Sequence, residues 1–422
     1  MQGCSKAAVT SGTEQSKENT MIKQMILSLI LITMLLTGCT TADQNDSQVS
    51  PADVVTETQP ETEETATQAF PAEVLATIQA EMDELTGGEL LPGMVVWIDA
   101  PQYRFAGASG LANLTDEAPM PPEGAFRIGS ITKMFTATVI MQLVEDGVLT
   151  LDDPLAQWLP EVAAQLPYGD EITLRHLLAH TSGLFNVVEH EAYFADLFTQ
   201  MVVDEASGTV TLDCVERDPH DTLARYVYGK EAQFAPGTQW RYSNTNYTLL
   251  GMIIETATEM PLAEAYRTNI YKPLGMTSTF LDCYEAPLVD VVHGYTGSGE
   301  ALSDITELHE SVGWSAGGLV STPLDLTAFA RGLFGGTLFD NPETLATMTT
   351  PAPNSANGLG VMLQNDYMGH AGYIAGYRSV LNYAPELDTV IMVLYNHDGA
   401  DPEQSLVDMM NPVLPVLGVA ER

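Results

Sequence analysis

A serine and a lysine stand three positions apart in the stretch FRIGSITKMF, residues 126–135. If a helix begins at Ile131, Ser130 lies at its N-terminal edge and Lys133 one turn later on the same face. A lysine amine can take the proton of a serine hydroxyl once burial or a nearby cation lowers the pKa of the lysine. The N–H groups of the helix start would then face a developing oxyanion. The pair predicts a nucleophile beside its base, although Ser-x-x-Lys also arises by chance as an N-cap followed by a solvated lysine.

Two further stretches contain groups that such chemistry needs. In WRYSNTNY, Tyr242 and Asn244 would project to one side of an extended or turn segment. A phenol can relay protons and an amide can hold a substrate carbonyl. Taken alone, this stretch is better explained as a turn that caps the following helix.

The stretch GHAGYIAGYRS is predicted to open a late strand. Gly369 and Gly372 would let a substrate lie against the strand edge, with His370 pointing into the cleft. The N–H of Tyr373 would complete an oxyanion hole with that of Ser130. Taken alone, His370 is better explained as a strand-end histidine bonded to the backbone.

The order Ser-x-x-Lys, Tyr-x-Asn, His-x-Gly resembles the penicillin-recognising serine hydrolases, in the branch of class C β-lactamases, serine D-Ala-D-Ala carboxypeptidases and related esterases. Other stretches resemble the same family across residues 71–396: LRHLLAHTSGL, FAPGTQWRYSNTNYTLLGMIIE, YKPLGMTST and SAGGLVSTPLDLTAFA. The resemblance implies that Ser130 is acylated and that Lys133 is its base partner. It implies further that Tyr242 relays protons and serves as the deacylation base, and that Asn244 binds the substrate amide.

The resemblance places the third motif at His370, Ala371 and Gly372. Class C β-lactamases carry lysine at the first of these positions, whereas some carboxypeptidases and esterases carry histidine. An imidazole can be neutral near pH 7, so it would bind a substrate carboxylate weakly or in a pH-dependent way, which counts against a β-lactamase. Arg378 would either supply a fixed positive charge to the substrate site or be a solvent-facing strand residue.

Apolar periodicity predicts the elements that position these groups. A helix begins near residue 71, and GMVVWIDA and QYRFAGASGLA form an early hairpin. Residues 131–287 are mostly helical in pattern, strands follow at GLGVMLQN, GYRSVLNYAP and DTVIMVLYN, and EQSLVDMMNPVLPVLG closes the chain as a helix. The predicted fold is α/β (α+β), with an antiparallel sheet of five or more strands, flanking helices and a mostly helical inserted subdomain. The resemblance implies that this fold is β-lactamase-like.

The N-terminal part predicts export. Residues 21–39 contain Lys23, an apolar stretch shorter than the roughly 20 residues of a spanning helix, and a Leu-Thr-Gly-Cys ending that looks like a lipoprotein lipobox. Cys39 would carry the lipid, and a plain transmembrane anchor is the alternative. Residues 1–20 are interpreted as a mis-assigned start. Residues 40–70 hold seven acids and no Lys or Arg, which predicts a disordered tether between the anchor and a hydrolase domain at 71–420.

Composition and the remaining special residues limit the partners. The 422-residue chain has a formal charge of -40, which argues against nucleic acid and anionic membrane surfaces as partners. His176 and His180 have a spacing that could hold a metal on a helix, but Leu177 stands where a zinc protease needs glutamate, so no metal or cofactor is predicted. Cys214 and Cys283 would be able to pair in an exported protein, yet the sequence does not give their distance.

The sequence alone therefore predicts an exported serine hydrolase that acts through an acyl-enzyme on a small-molecule or peptide substrate, most simply the D-Ala-D-Ala end of cell-wall peptides. The alternatives are a carboxylesterase or β-lactamase on small molecules, and a non-catalytic envelope protein that binds penicillin or peptidoglycan. Residues 187–221 match no known pattern and are expected to border the cleft. Trp240 and Trp314 would line the cleft or pack in the core.

Overall fold

The computed structural model describes residues 68–88, 91–193, 196, 201–203, 210–212, 217–308, 311–364 and 367–419. The export segment, Cys39, Cys214 and residues 40–67 of the acidic tether lie outside these residues, so what the sequence predicts for them remains a prediction. The chain divides into two units, Met1–Glu63 and Glu64–Arg422, and the fold described here belongs to the second. Within the described part, no helix is both long and apolar enough to cross a bilayer.

The strands and helices of the described residues are numbered in chain order. The strands are β1 (Gln68–Ala69), β2 (Gly93–Asp99), β3 (Tyr103–Asn113), β4 (Ala118–Pro119), β5 (Phe126–Arg127), β6 (Met201–Val203), β7 (Val210–Leu212), β8 (Phe280–Leu281), β9 (Tyr295–Thr296), β10 (Ser303–Asp304), β11 (Leu319–Ser321), β12 (Met362–Gln364), β13 (Tyr367–Ile374), β14 (Tyr377–Ala384) and β15 (Thr389–Tyr395). The α-helices are α1 (Ala72–Thr86), α2 (Thr132–Glu145), α3 (Leu155–Trp158), α4 (Pro160–Ala163), α5 (Leu174–Leu178), α6 (Pro219–Tyr226), α7 (Asn244–Thr258), α8 (Leu262–Tyr266), α9 (Lys272–Leu274), α10 (Trp314–Gly317), α11 (Pro323–Phe334), α12 (Pro342–Met348) and α13 (Pro402–Met410).

The main sheet has eight strands in the order β1-β3-β2-β15-β14-β13-β12, with β4 paired to β3. The predicted β-lactamase-like sheet of five or more strands is confirmed, but the sheet is mixed because β1 runs parallel to β3. This two-residue edge strand is too short to show an apolar alternation in the sequence.

The stretch GHAGYIAGYRS forms a hairpin, whereas the sequence analysis placed it at the start of one strand. Strand β13 ends at Ile374 and β14 begins at Tyr377, with full antiparallel pairing between them. Gly376 has a φ of +81° in the connecting turn, a conformation that glycine adopts without strain. Because the chain reverses direction at this turn, the residues of the third motif lie inside β13 and next to β14.

The helices cover both faces of the sheet. On one face, α1 and α13 pack through Ile78, Met82 and Met409 against Ile391 and Val393 of β15. On the other face, α2 and α7 are each buried over ten consecutive residues, as expected of helices surrounded by other elements. Phe135 of α2 lies among other aromatic rings and stacks on Phe329 with ring centroids 3.6 Å apart. A rigid core therefore fixes the start of α2, where Ser130 lies.

The segment between the early and late strands of the sheet is mostly helical, from α2 to α9. It also contains the hairpin β6–β7 and strand β8, which pairs with β11 beside β5. Cys283 follows β8 and is disulfide-bonded, while the other cysteines of the chain lie outside the described residues. Trp314 is buried in α10 and therefore belongs to the core.

Candidate active site

Ser130 lies in a short 3₁₀ turn, Gly129–Ile131, that leads from β5 into α2. Gly129 before it has a φ of +52°. A Cβ atom at Gly129 would lie 2.7 Å from the backbone nitrogen of Tyr373, so only glycine lets β13 approach this turn so closely. The turn therefore sets Ser130, the candidate nucleophile, against the edge of β13.

Lys133 has no solvent-accessible surface and its Nζ atom lies 3.0 Å from Ser130 Oγ. The amine also donates to Asn244 Oδ1 at 2.7 Å and to the carbonyl oxygen of Ala316 at 2.5 Å. Burial lowers the pKa of Lys133 well below its usual value. A neutral amine has two N–H groups and one lone pair. With the two N–H groups directed at oxygen acceptors, the lone pair is left for the Ser130 hydroxyl.

Tyr242 covers this pair. Its ring centroid lies 4.9 Å from Lys133 Nζ, and its buried hydroxyl faces Ser130 without a hydrogen bond of normal geometry. Burial raises the pKa of Tyr242, so the phenol keeps its proton at neutral pH. The phenol can therefore pass a proton on only while it receives another from a neighbour such as Lys133.

Asn244 is the first residue of α7, whereas the sequence analysis expected an extended or turn segment. Its side-chain oxygen accepts from Lys133, and its backbone N–H and side-chain amide both donate to Asn186 Oδ1, at 2.9 and 3.2 Å. One amide N–H of Asn244 is then left for a substrate carbonyl. The sequence analysis missed Asn186, although it lies two residues after the HTSGL stretch that carries part of the family resemblance.

The backbone N–H groups of Ser130 and Tyr373 can form the oxyanion hole because Gly372 permits a close approach. A Cβ atom at Gly372 would lie 2.1 Å from the carbonyl oxygen of Ile128. Ser379 Oγ of β14 donates to the same oxygen at 3.0 Å and ties the nucleophile turn to the hairpin. Gly372 and Ala371 thus act through their backbones and lie along one wall of the cleft.

His370 is 3% exposed, and its Nδ1–H donates to the carbonyl oxygen of Ala371 at 2.6 Å. Burial, reinforced by nearby Lys133, lowers the pKa of His370 to about 3. The ring is therefore neutral across the physiological range. Since Nδ1 carries the proton, Nε2 is a hydrogen-bond acceptor, and His370 offers the substrate no positive charge.

Arg378 lies directly opposite Tyr373 in the β13–β14 pair and lines the cleft. Its guanidinium carbon lies 4.0 Å from the centroid of the Tyr373 ring, and its Nε donates to the carbonyl oxygen of Asp398 at 2.8 Å. Among the described residues no carboxylate pairs with Arg378. The stacked guanidinium is therefore oriented by the protein while its charge remains available to a ligand.

The cleft in front of Ser130 has a volume of about 830 Å³ and is lined by two kinds of side chain. The charged side chains are Arg378 together with Asp401 and Glu403 at the start of α13. Large, mostly apolar side chains form the second group, in which Trp240 is 41% exposed. This apolar group comprises Val187, Val188, Tyr193, Trp240 and Met362. Three residues of the unassigned insert, Val187, Val188 and Tyr193, thus border the cleft.

His176 and His180 do not share a helix face, because α5 ends at Leu178 and His180 has a φ of +57°. His176 accepts from the backbone N–H of Thr173 at the start of α5. His180 is buried in the site, with its ring centroid 4.3 Å from that of Tyr242. Within the described ranges, no three His, Cys, Asp or Glu residues are grouped as metal ligands.

Comparison with known proteins gives one family and several relatives. The family model described as Beta-lactamase matches residues 76–408. The protein is similar to penicillin-binding protein 4* of Bacillus subtilis (strain 168), 28% identical over 76% of this chain and 72% of that protein. It is also similar to the esterase EstB of Burkholderia gladioli, 33% identical over 49% of this chain and 51% of that enzyme. A solved D-stereospecific amidohydrolase from Streptomyces sp. has a TM-score of 0.68 and 29% identity, covering 79% of this chain and 97% of that one.

Proposed function

Because the chain belongs to the β-lactamase family of serine hydrolases, we propose that it cleaves amide or ester bonds through an acyl-enzyme on Ser130. The observation that carries this proposal is the contact of 3.0 Å between Ser130 Oγ and Lys133 Nζ, with the other amine contacts occupied by Asn244 and Ala316. That arrangement leaves the lysine lone pair facing the hydroxyl that must lose its proton.

Acylation follows from these contacts. Lys133 takes the Ser130 proton as Oγ forms a bond to the substrate carbonyl carbon, and the N–H groups of Ser130 and Tyr373 stabilise the oxyanion. The tetrahedral intermediate collapses with cleavage of the C–N or C–O bond, and the proton passes from Lys133 through Tyr242 to the leaving group. Water then attacks the acyl-enzyme with Tyr242 and Lys133 as the base, which releases the acid and restores the Ser130 hydroxyl.

The first substrate class is a peptide that ends in D-Ala-D-Ala. Arg378 supports this assignment because it is the only lysine or arginine among the described residues that line the cleft, and a guanidinium can bind a terminal carboxylate in a bidentate manner. The similarity to a penicillin-binding protein and to a D-stereospecific amidohydrolase supports a D-configured acyl donor.

A neutral small-molecule ester is the second candidate. The neutral imidazole of His370 and the apolar side chains in the cleft lining favour it, since neither attracts a charged substrate. The similarity to the esterase EstB also favours an ester substrate. The two candidates differ in whether the substrate needs Arg378.

The test compares two substrates in the wild type and in Ser130→Ala. We expect release of D-alanine from a D-Ala-D-Ala peptide, slower hydrolysis of a neutral p-nitrophenyl ester, and loss of both in the variant. Incubation with a penicillin should add the mass of the acyl group to the peptide containing Ser130. Turnover by folded Ser130→Ala at more than a trace would refute the nucleophile, whereas hydrolysis of the ester alone would select the second candidate.

The site of action is proposed to be the cell envelope, with the protein lipid-anchored through Cys39. The support is the sequence of residues 21–39, which ends in a lipobox-like Leu-Thr-Gly-Cys. Cys39→Ala should move the protein from the membrane fraction to the soluble fraction of the envelope. Unchanged membrane association would indicate a spanning anchor instead.

A further inference from the structure

His180 has no assigned role in acyl transfer, yet its ring packs closely against the ring of Tyr242. The two rings are tilted by 31° with centroids 4.3 Å apart, and His180 is 6% exposed. His180 has a φ of +57° because it caps the C-terminal end of α5, where the N–H groups of His180 and Thr181 donate to the carbonyl oxygens of Leu177 and His176 at 3.3 and 2.9 Å. This cap fixes the backbone from which the ring reaches Tyr242.

His180 accepts hydrogen bonds from the two residues that flank Tyr242 in the sequence. The carbonyl oxygen of His180 accepts from the N–H of Arg241 at 3.0 Å, and Nδ1 accepts from the N–H of Ser243 at 3.2 Å. The residues immediately before and after Tyr242 are therefore both fixed by one histidine. Because Nδ1 accepts from a backbone N–H, the proton of the neutral ring lies on Nε2. Burial lowers the pKa of His180 well below its usual value, so the accepting lone pair persists at neutral pH.

The reactive end of Tyr242 is held less firmly. Its hydroxyl faces Ser130, but among the described residues it makes no hydrogen bond of normal geometry. The position of the oxygen over Ser130 and Lys133 therefore depends on how the ring and the backbone are held. A displacement of about 1 Å in such a group can cost roughly 100-fold in rate.

We propose that His180 is a positioning residue, which holds the Tyr242 hydroxyl over the Ser130–Lys133 pair by ring stacking and by the hydrogen bond from Ser243. This inference rests on the proposed function, in which Tyr242 transfers protons. It assigns a task to the histidine of the HTSGL stretch that holds for either substrate class.

The test is a double-mutant cycle between His180→Asn and Tyr242→Phe. Asparagine tolerates the left-handed conformation and keeps an acceptor for Ser243, but it removes the stacked ring. We expect His180→Asn to lower kcat roughly 10- to 100-fold with a smaller change in KM, because a general acid–base group contributes about 10²–10⁴-fold when well placed. In the Tyr242→Phe background the same change should cost less than about twofold, since the group that His180 positions is already gone.

His176→Asn is the matched control. His176 also accepts a backbone N–H through Nδ1, at 3.2 Å, but it caps α5 and does not line the cleft. Its kcat should stay within about twofold of wild type, as expected for a substitution outside the site. A comparable fall in kcat for this variant would mean that loss of any such histidine bond perturbs the enzyme, which would overturn the inference.

Two results for His180 itself would also overturn it: an equal loss of kcat in both backgrounds, or no loss in the wild-type background. Full activity of Tyr242→Phe would instead refute the proposed proton route. If His180→Asn melts below the assay temperature, His180→Phe enters the same cycle, because it keeps an aromatic ring and loses the two ring nitrogens, including the acceptor for Ser243. It should then show a smaller loss than Tyr242→Phe, and again almost none in the Tyr242→Phe background.

Discussion

Replacement of Gly372 by alanine should open the oxyanion hole. The added Cβ would lie 2.1 Å from the carbonyl oxygen of Ile128 and 2.2 Å from Ser379 Oγ. The Ser379 hydroxyl can rotate away, but the Ile128 oxygen belongs to the backbone that leads into Ser130. Restoring a tolerable contact needs a separation about 1 Å larger, since Cβ contacts under 3.0 Å essentially never occur in proteins. Strand β13 and the nucleophile turn must therefore move apart.

That movement separates the N–H of Tyr373 from the N–H of Ser130. Loss of one oxyanion donor costs roughly 10²–10³-fold in kcat. We expect a fall of that size in kcat for Gly372→Ala, measured with a chromogenic ester, together with a lower melting temperature. KM should change less, because the donors act mainly on the transition state.

Gly369→Ala is the matched control on the same strand. Its Cβ would lie 2.0 Å from the carbonyl oxygen of Leu381, so the overlap is as severe but is directed at β14 and not at the nucleophile turn. Both variants should lose stability to a similar extent, while only Gly372→Ala should lose kcat by two orders of magnitude or more. If the two variants retain the same activity at matched fractions folded, the oxyanion-hole assignment is wrong.

Three further predictions concern charged and titratable groups. Lys133→Met should lower kcat by roughly 10³-fold or more, and a kcat within tenfold of wild type would contradict the role of Lys133 as base. In the wild type, the acylation rate should rise with pH through the depressed pKa of Lys133, because only the neutral amine accepts a proton. Arg378→Gln should raise KM for a D-Ala-D-Ala peptide roughly 10- to 100-fold, as the loss of a charge-assisted hydrogen bond predicts, while KM for the neutral ester should change less than about twofold. Equal effects on KM for both substrates would indicate that Arg378 has a structural role. His370 has a pKa of about 3 in the folded protein and about 6.5 in the unfolded chain. As pH drops from about 6.5 to about 3, only the unfolded state takes up the proton, so the stability of the folded state should fall. His370→Asn should flatten that part of the melting-temperature profile, and an unchanged profile would show that other groups cause the acid loss.

The proximity of Ser130 and Lys133 could be predicted from the sequence because it depends on local spacing. Ser130 and Lys133 share a face because they stand three positions apart at a helix start, and their contact of 3.0 Å follows from that. The early hairpin, the first helix and the helical middle also follow from local periodicity. The β-lactamase-like fold and the serine hydrolase family were predicted correctly from motif order.

The sequence did not reveal the groups that make those residues reactive. The carbonyl of Ala316 belongs to α10, whereas His180 and Asn186 lie in the loop that follows α5. Their hydrogen bonds to Lys133, Ser243 and Asn244 span long distances in sequence. The neutral state of His370 is a similar case, because desolvation depends on everything packed around the ring and no pattern within the strand encodes it. The hairpin at Gly376 was missed for a related reason, since two short strands around a tight turn have the same local composition as one longer strand.

The sequence by itself therefore predicted the candidate nucleophile and base and the order of the motifs, and it determined the class of fold. Only the tertiary structure decided that Lys133 is buried, that the ring of Tyr242 lies against the ring of His180, and that Arg378 is the only lysine or arginine among the described residues that line the cleft. The physical reason is that covalent spacing fixes neighbours within a few residues, whereas burial, and with it every shifted pKa in the site, is a property of the whole packed chain.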